Sequence, residues 1–404
     1  MIIACPDCGA IQRFPALLPG GRLNCWRCDK VLERTAGRSL DAALALALAT
    51  LFLWFPANLA TLFSIHALGI ERSSRLGSGV ISMWKFGWPL LAIVVGLQGI
   101  LLPFIRFSLL AAVLSAVRLG GQGRWLGGAF RWAQRLDHWS MPDVFLFGAV
   151  VGYSRVEALI PVTIGPGGWS LIGAAAFGML TRASLDERSV WRMIQRPAAP
   201  PSGPRIACTV CDVVLPARMI GDRCPRCLAR LSARKPFAVR RASALVAAGF
   251  PLYMIANYFP MNVQTQFGQV SQQTIAYGVR KLLESGFWPL AAIIFTTSIL
   301  IPIFKLLVMS WLIWSVRHHS NRRLRRKARL FRFVEEIGRW SNIDVFTIAI
   351  FLPIMQFDGF VGVHPGGGAP AFLAVVVLTM LAVRVFDPRL MWDHADERVR
   401  AVAS

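Results

Sequence analysis

Long apolar runs separated by short polar segments dominate the chain. About 20 consecutive apolar residues are needed for a helix to cross a bilayer. Runs of roughly this length occur at residues 40–64, 87–117, 143–163, 168–182, 242–263, 287–316, 343–362 and 369–386. The pattern predicts an all-α polytopic membrane protein with about four spans in each half. The second run of each half is about 30 residues long, so it is expected to tilt or to protrude from the membrane.

The motifs of the first half recur in the same order in the second half. Trp139–Phe145 reads WSMPDVF and recurs as Trp340–Phe346, which reads WSNIDVF, at an offset of 201 residues. Three further pairs keep similar offsets: FPAN at 55–58 with FPMN at 259–262, WPLLAI at 88–93 with WPLAAI at 288–293, and PFIR at 103–106 with PIFK at 302–305. The order predicts a tandem repeat of one module of about 200 residues.

The module boundaries follow from the composition of the segments between the motifs. A Pro-rich stretch at 197–204 has the composition of a linker. The predicted division is a first zinc ribbon at 1–36, a first transmembrane module at 37–196, a linker at 197–205, a second zinc ribbon at 206–235, a second transmembrane module at 236–396 and a tail at 397–404.

The distribution of basic residues predicts the orientation. The net charge is +23, yet only 16% of residues are charged. Basic residues concentrate in the loop at 317–332 and in its counterpart at 118–135, whereas the glycine-rich loops at 165–168 and 365–368 contain no Lys or Arg. The positive-inside rule then places both termini and all cysteines in the cytoplasm and makes the repeat parallel. Because membrane orientation accounts for the basic loops, we do not expect the chain to bind nucleic acid.

All eight cysteines fall in four Cys-x2-Cys pairs, with two pairs in each half. Spacers of 16 and 12 residues separate the pairs. Two such turns bring four thiolates to one tetrahedral ion, so the spacing predicts two structural zinc ions held by Cys5, Cys8, Cys25 and Cys28 and by Cys208, Cys211, Cys224 and Cys227. Iron uses the same ligand set. Disulfides or a redox switch are the alternatives, and a cytoplasmic location disfavours disulfides.

Ionisable residues inside the apolar runs predict a buried polar cluster. Lys305 lies about 16 Å from the cytoplasmic end of its run, and Asp344 opens the next run. A charge at this depth needs a partner. We expect Lys305 to pair with Asp344, near Ser298, Ser341 and Thr347, and expect Arg106, Asp143 and Ser140 at the equivalent places of the first half. A structural ion pair, snorkelling of Lys305 to the interface and a proton- or substrate-linked switch are the three interpretations. Arg106 does not deprotonate, so the second half is the better candidate for handling protons.

The assembled motifs resemble those of the paraquat-inducible protein A family over nearly the whole chain. The resemblance rests on the duplicated module, the Pro-x-Asn and Pro-x2-Lys/Arg elements and the Trp-Ser-x2-Asp-Val-Phe motif. It implies a component of the Gram-negative inner membrane that passes phospholipid to or from a periplasm-spanning MCE-domain protein. The cluster Lys305, Asp344, Ser341 and Ser298 would then be the transport-linked network.

Functional classes other than transport have less support in the sequence. The sequence contains no Walker A or dinucleotide-binding pattern and no convincing catalytic triad, so no enzyme activity is predicted. Two alternatives remain: a membrane-bound redox or metal-responsive stress protein that uses the cysteines, and a passive membrane anchor for a periplasmic partner.

Overall fold

The computed structural model of the chain describes residues 2–13, 21–34, 39–67, 70–121, 123–157, 161–194, 203–266, 269–354, 361–393 and 395. The predicted linker lies mostly outside these residues, and the predicted tail at 397–404 lies entirely outside them. The described chain is mostly helical.

The first half begins with four short strands and continues as helices interrupted by a small sheet. Its elements are β1 Ile2–Ala4, β2 Ile11–Arg13, β3 Arg22–Asn24, β4 Val31–Arg34, α1 Leu40–Leu59, β5 Phe63–Ala67, β6 Ile70–Ser74, α2 Leu76–Lys85, α3 Pro89–Gly96, α4 Leu102–Arg118, α5 Arg124–Asp137, α6 Pro142–Glu157, β7 Val162–Ile164, α7 Pro166–Ser184 and α8 Glu187–Ile194.

The second half has nearly the same order of elements. They are β8 Arg205–Ala207, β9 Val214–Pro216, α9 Ala238–Tyr258, β10 Asn262–Gln266, β11 Gln269–Gln273, α10 Ile275–Glu284, α11 Trp288–Ile294, α12 Ile301–Arg317, α13 Leu324–Ile337, α14 Ile343–Ile354, β12 Val361–Pro365 and α15 Gly368–Val385.

Four helices in the described part of the chain are long and apolar enough to cross a membrane. They are Leu40–Leu59, Pro89–Arg118, Trp288–Arg317 and Gly368–Val385. The other four apolar runs form α6, α7, α9 and α14, which are shorter or less apolar. The two 30-residue helices are continuous, as the lengths of their runs predicted.

Each 30-residue helix changes its winding just before a proline. A π-helical stretch joins α3 to α4 at Leu97–Leu101, and another joins α11 to α12 at Phe295–Leu300. Pro103 and Pro302 lack the backbone N–H that would bond to the carbonyl four residues earlier, so the regular ladder cannot pass this point. Such stretches often occur at functional sites, and Ser298 lies within the second one.

The all-α prediction is wrong at the end of the bundle opposite the cysteines. β5 pairs with β6 and β7 in one antiparallel sheet, and β10 pairs with β11 and β12 in another. Both sheets therefore have the same strand order. Each sheet joins the loops after the first and third helical segments of its half, because those loops are long enough to pair with one another. The lengths of the apolar runs could not reveal these strands, because each strand has only three to five residues.

Helices α6 and α14 carry the repeated motif and pack on each other at the centre of the molecule. The rings of Phe145 and Phe346, which are equivalent in the two motifs, lie 5.1 Å apart. Asn342 donates its side-chain N–H to the sulfur of Met141 at 3.2 Å, which also joins equivalent positions. The two halves thus meet through matching residues of the same motif.

Gly79 allows α2 to approach α14 closely. A Cβ at this position would lie 1.9 Å from the carbonyl oxygen of Ala349, so the backbones must separate to admit a methyl group. We expect Gly79→Ala to destabilise the protein by about 1–3 kcal/mol. Thermal unfolding of the purified protein in detergent measures this effect.

Gly77 in the same helix is the matched control. A Cβ there meets no atom of the described residues within 4 Å. Alanine forms helices better than glycine, so Gly77→Ala should be neutral or stabilising by up to about 1 kcal/mol. Equal melting temperatures for the two variants would contradict the close approach of α2 and α14.

Candidate functional site

Each pair of cysteines closes a tight turn at the end of a β-hairpin. In the first turn the N–H of Cys5 donates to the carbonyl of Ala10 at 2.9 Å, and the N–H of Gly9 donates to the carbonyl of Cys5 at 2.9 Å. The residue after the second cysteine of every turn has a positive φ angle: Gly9 at 73°, Asp29 at 61°, Asp212 at 56° and Leu228 at 59°. The four turns therefore share one backbone geometry.

The turns bring the sulfur atoms together in two groups of four. The Sγ–Sγ distances are 3.5 Å for Cys5–Cys28 and 3.6 Å for Cys208–Cys227, and within each group the four Sγ atoms all lie within 4.8 Å of one another. A tetrahedral zinc ion with Zn–S bonds of about 2.3 Å separates its sulfurs by about 3.8 Å. A disulfide bond is about 2.05 Å long, and all eight cysteines are free. Both groups can hold a metal ion.

The thiols in each group favour ionisation of some of their members, which are Cys28 in the first group and Cys224 and Cys227 in the second. Hydrogen bonds from Cys5 and Cys8 lower the pKa of Cys28 to about 2. Contacts with Cys208 and Cys211 likewise hold the pKa of Cys224 far below its ordinary value. A metal ion binds the thiolate and not the thiol, so the arrangement favours metal binding. In the first group, Gln12 also donates to the sulfur of Cys25 at 2.9 Å.

Each ribbon packs against helices of the other half. The first four cysteines share a buried cluster with Leu306 of α12, Phe331 of α13 and Phe386. The second four share a cluster with residues of the first half, including Phe107 of α4 and Phe130 of α5. The ribbons therefore cross over between the two halves.

Polar contacts follow the same crossed pattern. Arg332 of α13 donates to Asp7 at 3.0 Å and to the carbonyl of Cys28 at 3.3 Å. Arg188 of α8 donates to Asp212 at 3.3 Å. The first ribbon also touches its own half, since Arg192 donates to Glu33 at 2.5 Å.

The structure separates Lys305 from Asp344 in the second half. Lys305 is completely buried, and its Nζ donates to the carbonyl of Gly338 at 3.2 Å. Asp344 accepts a hydrogen bond from the hydroxyl of Ser298. Ion pairs among the described residues do not include Lys305 with Asp344, so that expected pairing is wrong. Seven residues separate Ser298 from Lys305, which places Asp344 about 10 Å further along the bundle.

The other two residues of the second-half cluster are also buried. Thr347 donates to the carbonyl of Ile343 at 2.9 Å and contacts the carbonyl of Gly148 in the other half at 3.2 Å. The hydroxyl of Ser341 finds no hydrogen-bond partner among the described residues.

In the first half, Arg106 and Asp143 belong to one partly buried ion network. Arg106 pairs with Asp137, and Arg182 bridges Asp137 at 2.8 Å and Asp143 at 3.1 Å. Arg339 crosses from the second half to bind Asp143 as well. Burial acts to raise the pKa of Asp137, but Arg106 and Arg182 outweigh it and hold that pKa below the ordinary value. The hydroxyl of Ser140 has no partner among the described residues, although its carbonyl accepts from Arg182 at 3.1 Å.

A cavity of about 340 Å³ lies between the halves on the side of the ribbons. Both repeated basic residues line it, Arg106 from one half and Lys305 from the other. Asp137, His138 and Arg182 also line it. Burial, with Arg384 nearby, lowers the pKa of His138 to about 4, so this imidazole is uncharged near neutral pH.

A smaller pocket approaches Asp344 from the opposite direction. Its volume is about 40 Å³, and its lining includes Asn262 of β10 and Thr274 before α10. Lys305 and Asp344 therefore border different pockets. The pocket of Lys305 lies on the ribbon side, and the pocket of Asp344 lies on the sheet side.

Sequence reasoning missed three members of the charged network. Asp137 and Arg339 lie just before the repeated motif, and their equivalents are Gly338 and His138, so neither charge is repeated. Arg182 ends the apolar run at 168–182, and no motif points to it. Another basic residue, Arg384, lies near the end of the apolar run at 369–386, although the offset of 201 places Val383 opposite Arg182.

Comparisons with known proteins agree with one another. The chain is 29% identical over 406 residues to the Intermembrane transport protein PqiA of Escherichia coli strain K12, covering 98% of this chain and 96% of that protein. It is 29% identical over 391 residues to the Lipophilic envelope-spanning tunnel protein A of the same strain, covering 96% and 90%. A Probable intermembrane transport protein of Haemophilus influenzae is 26% identical, covering 98% and 96%. No solved structure matches the chain.

One family model matches the chain twice. The matched residues are 40–195 and 239–396, which together make up most of the chain, and the model describes the paraquat-inducible protein A family. The four apolar helices and the two metal-binding groups fit this match. The chain therefore belongs to the paraquat-inducible protein A family of membrane proteins.

Proposed function

We propose that the chain is the inner-membrane component of an envelope transport system that passes phospholipid to or from a periplasm-spanning MCE-domain partner. The names of the relatives, which refer to intermembrane transport and an envelope-spanning tunnel, support a transport role over an enzymatic one. The two metal ions are structural zinc ions in this proposal, because each group offers four sulfur ligands and no open position.

The proposed organisation is a parallel tandem repeat with the ribbons and both termini in the cytoplasm. The two matches to one family model and the identical strand orders of the two sheets support the repeat. The basic residues near the ribbons support their cytoplasmic placement. The sheets would then face the periplasm, on the side where the partner is expected.

Transport is proposed to be coupled to protons through Lys305 and Asp344. The observation that carries this proposal is that each residue borders a separate pocket, with Ser298 and Ser341 buried near them. A proton could reach Asp344 from the sheet side and leave through the cavity of Lys305. Both groups can change charge, and a change of charge in a buried site alters which helix packing is most stable.

Asp344→Asn tests the coupling. It keeps the size of the side chain and its bond to Ser298 but removes the charge change, so we expect lipid transfer to fall at least about tenfold with little change in melting temperature. Transfer of labelled phospholipid from proteoliposomes that contain the full chain to its partner measures the effect.

Glu284→Gln is the matched control, because this carboxylate is exposed and pairs only within α10 among the described contacts. It should transfer lipid at the wild-type rate. If Asp344→Asn also transfers lipid at that rate, the proton-coupled proposal fails and the passive anchor remains.

A further inference from the structure

The cavity between the halves presents buried cationic donors that lack partners. Arg106 is only 4% exposed, and its Nη1 has no hydrogen-bond partner among the described residues. Lys305 is 0% exposed, and its ammonium group carries three protons but makes one described hydrogen bond. Arg339 lines the same cavity, and its Nε is also unpartnered within the described chain. Buried donors normally find acceptors.

The charges of the network do not balance. Arg106, Arg182 and Arg339 pair with Asp137 and Asp143, and Lys305 lines the same cavity, so four cationic groups are set against two carboxylates. The excess is two positive charges, and the two cations that give the cavity its donors, Arg106 and Lys305, are buried. An uncompensated buried charge is unfavourable, and an anion would relieve it.

The remaining ionisable groups of the lining do not cancel this excess at the floor of the cavity. Glu187 and Glu336 are exposed and lie at its mouth. Glu335 interacts electrostatically with Lys30 and Arg384, and Arg384 itself lines the cavity. His138 is uncharged near neutral pH.

We propose that this cavity binds a phosphate group between Arg106 of the first half and Lys305 of the second. A guanidinium group matches the oxygens of phosphate, and an ammonium group adds a point charge. The volume of about 340 Å³ falls within the range of about 300–1,000 Å³ that is typical of ligand sites. The phosphate is carried by a lipid headgroup or is free in solution.

The proposal gives the two halves different tasks. Arginine stays charged at any physiological pH, so the first half is suited to holding an anion, whereas the second half has the residues that can titrate. The inference deepens the proposed transport function, because lipid phosphate is one of its two sources.

Gly338→Asp is the most direct test variant. Gly338 is the equivalent of Asp137, and a Cβ there would lie 3.7 Å from Nζ of Lys305, an ordinary contact. Its φ angle of −57° accepts any side chain. The new carboxylate would occupy the donors of Lys305, so we expect phosphate to bind about 10- to 100-fold more weakly.

Arg106→Gln is the second variant, with Arg118→Gln as its matched control on the same helix. Arg118 is 57% exposed and pairs with Asp41 away from the cavity. Arg106→Gln should weaken binding about tenfold or more, and Arg118→Gln should leave it unchanged. Should Arg106→Gln fail to fold, Gly338→Asp decides.

The experiment uses the full chain in detergent micelles with three probes. Equilibrium dialysis measures radiolabelled inorganic phosphate, and native mass spectrometry compares phosphatidylglycerol with diacylglycerol of the same acyl chains. Phosphatidylglycerol binding without phosphate binding supports a lipid source, and phosphate binding without lipid binding supports a free ion, provided that Gly338→Asp weakens it. If the chain binds both phosphatidylglycerol and inorganic phosphate, and Gly338→Asp weakens the binding of each, the site accepts phosphate from either source.

The proposal is overturned if neither phosphate-bearing probe binds the folded wild type, if Gly338→Asp binds them as tightly as the wild type, or if diacylglycerol binds equally well. These results concern equilibrium binding alone. A wild-type transfer rate in Asp344→Asn would overturn proton-coupled transport and leave the phosphate site standing, so the two failures are distinguishable.

Discussion

Replacing Cys224 with serine is expected to unfold the second ribbon and release it from the helices of the first half. Cys224 is completely buried, and its sulfur lies 3.6 Å from that of Cys211. Structural zinc supplies on the order of 10–16 kcal/mol of folding free energy in zinc-finger peptides, and three ligands hold it much less tightly than four. Metal content should fall from about two ions per chain to about one, and elemental analysis also distinguishes zinc from iron.

Because each ribbon packs on helices of the other half, each cysteine substitution should loosen a different set of helices. Loss of the second ribbon should raise hydrogen exchange in α4 and α5, whose Phe107 and Phe130 share its buried cluster. Cys5→Ser should instead expose α12 and α13, which cover the first ribbon. Arg223→Gln, at an exposed position beside Cys224, should change neither. If each cysteine variant loosened only the helices of its own half, the crossed arrangement would be refuted.

Replacing Gly127 with alanine is expected to push the second ribbon away from α5. A Cβ at Gly127 would lie 1.8 Å from the carbonyl oxygen of Arg226 and 3.4 Å from Cα of Cys227. A backbone carbonyl at that distance cannot move aside as a flexible side chain can. We expect a loss of about 1–3 kcal/mol or more in stability and easier proteolysis within residues 206–235, measured by thermal unfolding and limited digestion.

The neighbouring glycine provides the control. A Cβ at Gly128 would lie 3.7 Å from a methyl group of Leu228, which is an ordinary contact. Gly128→Ala should therefore be neutral or slightly stabilising, because alanine favours the helix. Similar proteolysis of both variants would show that the ribbon does not rest on α5 at this point.

Crossed ribbons offer a physical link between the metal sites and the charged cavity. Phe331, Val334 and Glu335 lie on α13; the first two belong to the buried cluster of the first ribbon, and the last two line the cavity. A change in how α13 sits on the ribbon would therefore move part of the cavity wall. The two sites are joined by one helix.

The sequence by itself determined the parts of the protein that depend on local patterns. Run lengths identified the four helices that are long and apolar enough to cross a membrane, because crossing a bilayer requires about 20 apolar residues. The Cys-x2-Cys spacing identified both metal-binding groups, because ligand geometry is set within each short turn. The repeated Trp139–Phe145 motif marked the segments that pack together at the centre.

Only the tertiary structure decided which distant residues meet. The partner of Arg106 is Asp137 and not Asp143, and Lys305 reaches the carbonyl of Gly338, because the offset between packed helices, and not the spacing along the chain, sets these pairs. The small sheets depend on strand pairs about 100 residues apart, and the crossing of the first ribbon depends on contacts about 300 residues apart. No periodic pattern records such contacts, since each half of the sequence is compatible with a ribbon resting on its own helices.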